Sequence, residues 1–145
     1  SGLTPFLTPD AGLHSGFMIA HVTAAALVSE NKVLAHPASV DTIPTSAAKE
    51  DHVSMGAHGA RQASQIIDHV STVLAIEWMC AAQALDQRRP LKPSPPIHAA
   101  RALLRRKVRR LKEDRILSTD IEKSKAMLDG GSLIETVRRQ GTHLK

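Results

Sequence analysis

Apolar positions recur at three- and four-residue steps along most of the chain, the spacing of amphipathic helices rather than of strands. The first such run extends from about Ser15 to Leu34 and is rich in small residues: Ala20, Ala24, Ala25 and Ala26. It closes before Pro37, because the residue preceding a proline avoids helical geometry. A second run covers roughly Ser54 to Leu85, with Ala63, Ile67, Val70, Leu74, Ala81 and Leu85 on one face. At 1.5 Å per residue it predicts a helix on the order of 45 Å long, more than a small isolated domain needs. Glu77 lies at the edge of that stripe, where a buried carboxylate would require a partner. Between the two runs, His36 to Asp51 shows no clear periodicity. Connections of this length are uncommon in compact domains unless they carry function, so residues 36–51 are the first place to look for chemistry.

Four prolines within Arg88 to Pro96 break the second helix and form a stiff connector. Three shorter helices are expected beyond it. Pro95 and Pro96 suit the start of one that runs to about Glu113, with Leu104, Val108 and Leu111 as its buried stripe. Thr119-Asp-Ile-Glu122 reads as a capping box opening the next, Gly130-Gly131 as its stop, and Ser132-Leu-Ile-Glu135 as a second box. The expected fold is therefore all-α: long antiparallel helices followed by shorter C-terminal ones. Residues 1–89 form a long-helix segment that carries the loop, and residues 90–145 form a basic helical region.

Composition narrows the possible functions. Among 145 residues only Phe6, Phe17 and Trp78 are aromatic and tyrosine is absent, which disfavours strand-rich folds and aromatic platforms for single-stranded nucleic acid. The formal charge of +5 is unevenly placed, with a net of −4 over residues 1–80 and +9 over residues 81–145. The basic peak, Arg101 to Lys112, reads as a solvated helix face, since base recognition needs more than phosphate-seeking charge; no nucleic-acid partner is expected. One cysteine, Cys80, cannot form an internal disulfide and reads as core filler in a cytoplasmic protein. The N-terminus lacks the charged and apolar regions of a secretory signal, and no apolar run reaches the roughly 20 residues of a membrane span. The eight histidines, His14, His21, His36, His52, His58, His69, His98 and His143, have no metal-ligand spacing, so no metal is expected. No glycine-rich phosphate loop and no nucleophile elbow occur. Glu50-Asp51 near a helix start has a simple explanation in the helix dipole.

A longer pattern adds more. The run Gly16-Phe-Met-Ile-Ala-His-Val-Thr-Ala-Ala-Ala-Leu-Val-Ser-Glu-Asn-Lys-Val-Leu-Ala-His-Pro37, continued by Ser39-Val-Asp-Thr-Ile-Pro-Thr-Ser46 and Glu50-Asp-His-Val-Ser-Met-Gly56, resembles the C-terminal part of the histidine ammonia-lyases. Val73-Leu-Ala-Ile-Glu-Trp78, Ala82-Gln-Ala-Leu-Asp86 and Asp120-Ile-Glu-Lys123 extend the resemblance over nearly the whole chain. It implies an enzyme of histidine catabolism that eliminates ammonia from L-histidine to give trans-urocanate, built as a largely helical homotetramer whose active sites draw on several subunits. The family's electrophile is a methylideneimidazolone formed from an internal Ala-Ser-Gly tripeptide. No such tripeptide occurs here, so the chain is expected to be a piece of a longer polypeptide, with no cofactor of its own and no activity alone.

Two site residues follow from the resemblance. Glu50 matches the family's active-site glutamate, a carboxylate suited to an ammonium and a partly protonated imidazole. Met18 matches a methionine lining the substrate side-chain pocket, where a flexible thioether packs against a flat ring. The chain departs from the family pattern at Ala48-Lys49, commonly Asn-Gln, and at His14 and His21, commonly Asn and Gln. A lysine beside Glu50 could pair with it. Two other readings follow from the same residues: a piece of a related aromatic ammonia-lyase or aminomutase, or a standalone helical interaction module. A helix with an apolar stripe of this length, apart from its neighbours, is expected to self-associate.

Overall fold

The longest element is a helix of 32 residues, and the rest of the chain is arranged along it. In the computed structural model, residues 2–142 are described, and among them the elements are helical with no strand. A short 3₁₀ turn at Pro5–Leu7 precedes α1 (Met18–Leu34) and α2 (Gly56–Gln87), followed by α3 (Pro95–Arg105), α4 (Ser118–Asp129) and α5 (Ser132–Arg138). α1 runs antiparallel to α2: Asn31 near the end of α1 meets His69 in the first half of α2, Oδ1 to Nδ1 2.8 Å. α4 packs along α2 as well, and α5 closes against α3 and α4.

The core gathers at the C-terminal half of α2. Ile76, Met79 and Ala82 meet Phe17 and Ala20 of the first helical segment, with Leu104, Val108, Leu111 and Met127 from the second half of the chain. The stripe that the sequence marks on α2 faces the other way: Ile67 is 69% exposed, and Val70 and Leu74 are exposed beside it. Helical periodicity therefore identifies two faces on α2. One, centred on Ala75, Ile76, Met79 and Gln83, builds this chain's core; the other is open to solvent. Glu77 is exposed and needs no buried partner.

Three local expectations are corrected. α3 ends at Arg105 rather than near Glu113, and residues 109–117 are not helical. Val108 and Leu111 are still buried, but from a non-helical segment held by side chains. Gln83 donates from Nε2 to the Leu111 carbonyl at 2.7 Å and accepts from the Leu111 N–H at 3.2 Å. Arg105 donates to the Val108 carbonyl, and Arg115 to the carbonyls of Arg109 and Arg110. Backbone groups that helix bonds would have satisfied are thus partly satisfied by side chains. Neither capping box forms. α4 begins at Ser118 with Leu117 at the cap position, which places Thr119 inside the first turn. α5 begins at Ser132 after a left-handed Gly131 (φ 72°), and Glu135 pairs with Arg139 instead of reaching back. The glycine stop of α4 is present: Gly130 donates to the Ala126 carbonyl and Gly131 to that of Leu128.

Candidate functional site

The connection between α1 and α2 is a closed loop. At its base, the Val53 N–H donates to Thr42 Oγ1 at 2.9 Å. Further out, Thr45 and Glu50 form an isolated antiparallel bridge, with Thr45 N–H to Glu50 carbonyl 3.1 Å and Glu50 N–H to Thr45 carbonyl 3.3 Å. Four residues span the bridge, and Ser46, Ala47 and Ala48 turn the chain with φ of 54°, 58° and 62°. Three successive left-handed residues with side chains are costly, about 1–2 kcal/mol each. Strain of this kind gathers where a scaffold must present a side chain in a fixed direction.

Glu50 follows that turn. It is exposed at the end of the bridge, and its Oε2 accepts from Thr45 Oγ1 at 3.3 Å. No ion pair joins it to Lys49 among the described residues, so the pairing that their adjacency allows does not form. Backbone geometry explains this: Lys49 closes the left-handed turn through its N–H to the Ser46 carbonyl, while Glu50 has already entered the bridge.

Met18 sits elsewhere. It is the first residue of α1 and half-buried beside the core residue Phe17, whereas Glu50 lies past the far end of the same helix. α1 has 17 residues and spans about 25 Å. The structure therefore places the two candidate residues toward opposite ends of the helix pair and does not bring them together.

The start of α1 is set by a residue that the sequence does not point to. Asp114 accepts from the Ser15 N–H at 2.8 Å and the Gly16 N–H at 2.9 Å, serving a helix start that has no side-chain cap of its own. Those backbone N–H bonds hold the Asp114 carboxyl below its usual range, with a smaller contribution from His14 nearby. Thr45, the hydroxyl partner of Glu50, is a second residue that sequence reasoning passes over. No local signal identifies Asp114, since its partners lie about a hundred positions away.

Other chemistry is limited. Burial pushes the Cys80 thiol up to about 11, and Glu77 adds to the effect, so it is held as a thiol and is a poor nucleophile. Among the described residues no group of three or more His, Cys, Asp or Glu converges as metal ligands. His143 lies outside the described residues. No described helix is long and apolar enough to cross a membrane.

The fold is a helical scaffold whose α1–α2 loop carries exposed carboxylates, Glu50 among them, and whose longest helix has an open apolar face. The chain belongs to the aromatic amino acid lyase family, whose model matches residues 1–106. It is 58% identical over 137 residues to the histidine ammonia-lyase of Sorangium cellulosum, covering 94% of this chain and 27% of that protein. To the histidine ammonia-lyase of Anaeromyxobacter sp. (strain K) it is 59% identical over 133 residues, covering 92% and 26%. Among solved structures it is similar to histidine ammonia-lyase from Trypanosoma cruzi, with a TM-score of 0.91 and 48% identity over 94% of this chain and 27% of that one. It also resembles tyrosine aminomutase from Streptomyces globisporus, with a TM-score of 0.84 and 36% identity over 92% of this chain and 25% of that one. The chain spans about a quarter of the length of the curated relatives it matches.

Proposed function

We propose that this chain is the C-terminal part of a histidine ammonia-lyase, and that the whole protein eliminates ammonia from L-histidine to give trans-urocanate in the cytoplasm. The supporting observation is the graded similarity: 58% identity to a histidine ammonia-lyase against 36% to a tyrosine aminomutase at similar coverage. Glu50 is assigned to the active site as the carboxylate that receives the substrate's ammonium or imidazole. Met18 is assigned to the pocket around the substrate side chain. Because the two lie toward opposite ends of the α1–α2 pair, the reading requires residues from other copies or other parts of the protein to complete each pocket.

The methylideneimidazolone of this family supplies an electrophile that activates the substrate toward loss of ammonia. This chain has no Ala-Ser-Gly from which to make it. What the chain supplies is a fixed carboxylate, its direction set by the Thr45 bridge, and the helices that carry it. A homo-oligomer follows from the same reading, a tetramer by the family resemblance. Ile67, Val70 and Leu74 on α2 leave an apolar face that a second copy would cover, and Ile19 and Val22 on α1 are exposed too.

The assignment of Glu50 is tested in the full-length enzyme. Glu50→Gln is expected to lower kcat for histidine by about two orders of magnitude or more while leaving assembly intact. Near-unchanged turnover would refute it. The chain alone is expected to sediment as species larger than its 15.6 kDa monomer, and a clean monomer would refute the covering of the α2 face by copies of this chain.

A further inference from the structure

We propose that the groove between α3 and α5 binds a phosphorylated small molecule of nucleotide size, independently of the lyase assignment. The groove has a volume of about 800 Å³ and is lined by four basic side chains, Lys92, His98, Arg106 and Arg139, with no Asp or Glu in its walls.

Exposed cations without an ion pair among the described residues are common in this basic region, Lys107, Arg109 and Arg110 among them, and the groove gathers several basic groups around one hollow. Where the fold uses arginines structurally it neutralises them: Arg101 and Arg105 share Asp86, and Arg115 holds Asp120. The neighbouring hollow formed by Arg109, Arg110 and Lys112 has Glu113 and Asp114 in its own walls. In the α3–α5 groove Arg139 pairs with Glu135, one turn back on α5, but Lys92 and Arg106 have no ion pair among the described residues. These two cations approach from different segments, Lys92 from the proline-rich connector and Arg106 from the end of α3. Basic groups that line one groove with no acidic wall residue attract an anion, and guanidinium and ammonium groups both suit phosphate oxygens.

The size of the groove decides between a bare ion and a larger ligand. Its volume falls within the range of pockets that hold metabolite-sized molecules, about 300–1,000 Å³, and a lone phosphate would leave most of it empty. Leu103 and the helix alanines give it an apolar wall for a ring or sugar, and the Thr136 hydroxyl adds a neutral hydrogen-bonding group.

Calorimetric titration of the full-length protein with ADP, inorganic pyrophosphate and adenosine tests the proposal. ADP is expected to bind, more tightly than pyrophosphate, and adenosine is expected not to bind. Lys92 and Arg106 are exposed, so K92A/R106A should leave the circular dichroism unchanged and weaken ADP binding by about tenfold or more. Arg110→Ala, outside the groove, should change it less than about twofold. No binding at about 1 mM ADP, or equal losses from R110A and the groove pair, would overturn the site. Pyrophosphate binding as tightly as ADP would overturn the assigned size of the ligand.

Discussion

Removing the Asp86 carboxylate should be the most damaging single change to this fold. Asp86 lies near the end of α2, 6% exposed, and faces Arg101 and Arg105 of α3. It accepts from Arg101 Nε at 2.8 Å and from Arg105 Nε at 3.0 Å, with a further bond from Arg101 Nη2 and an ion contact from Arg105 Nη2 at 2.8 Å. Both arginine side chains are only 17% exposed, so Asp86→Ala leaves two cations largely desolvated without a counter-charge. Breaking a buried pair in this way costs about 3–5 kcal/mol, against a total of roughly 5–15 kcal/mol for a typical domain. For a chain of this size that lowers the melting temperature by on the order of 10 °C. Asp86→Asn keeps the shape and should lose most of the same stability, which separates lost charge from lost packing. Thermal and urea unfolding followed by circular dichroism measure both variants. A loss below about 1 kcal/mol, the range of solvent-exposed pairs, would show that the triad is hydrated and would refute this account of how α3 is held.

Two more outcomes follow from named contacts. Gly16 has φ of +55°, and a Cβ there would lie 2.5 Å from the Phe6 carbonyl oxygen, so Gly16→Ala should destabilise the chain by about 2–3 kcal/mol in urea unfolding. Acid sensitivity has a definite sign. Burial alone would raise the Asp86 pKa, but the bonds from Arg101 and Arg105 outweigh it and hold the group low; the Ser15 and Gly16 N–H groups hold Asp114 low as well. Both carboxylates therefore contribute stability that is complete above their unfolded pKa, about 3.9, and is lost as pH falls through the lower folded values. Stability measured from pH 6 downward should hold until about pH 4 and then fall, with a shallower fall in Asp114→Asn. Equal slopes in the two proteins would remove Asp114 from this role.

Periodic and local features of the fold were legible in the sequence, and long-range ones were not. The spacing of apolar residues locates α1 and α2 to within a few positions, and Gly130-Gly131 marks the end of α4, because these signals act within one or two helical turns. The stripe Leu104, Val108, Leu111 marks buried residues correctly but reads as helix, since a non-helical segment pinned by Gln83 and Arg115 can bury the same positions. Of the two site residues, Glu50 and Met18 came from resemblance alone; spacing gave the loop but no reason to prefer Glu50 to Asp51. Asp114 escaped notice because a side chain bonded to a distant backbone leaves no periodic trace, and Thr45 because its bond to Glu50 forms only once the loop has turned between them.

The Asp114 cap reaches beyond stability. Its bonds to Ser15 and Gly16 fix the backbone immediately before Met18, yet Asp114 lies outside residues 1–106, where the family model matches. Exchanging the segment after residue 106 between relatives would therefore shift the approach of Met18 while leaving every residue of the matched portion unchanged. On the proposed assignment of Met18, differences in substrate preference between such chimeras would trace to the Asp114 cap, since the matched portion is the same in all of them.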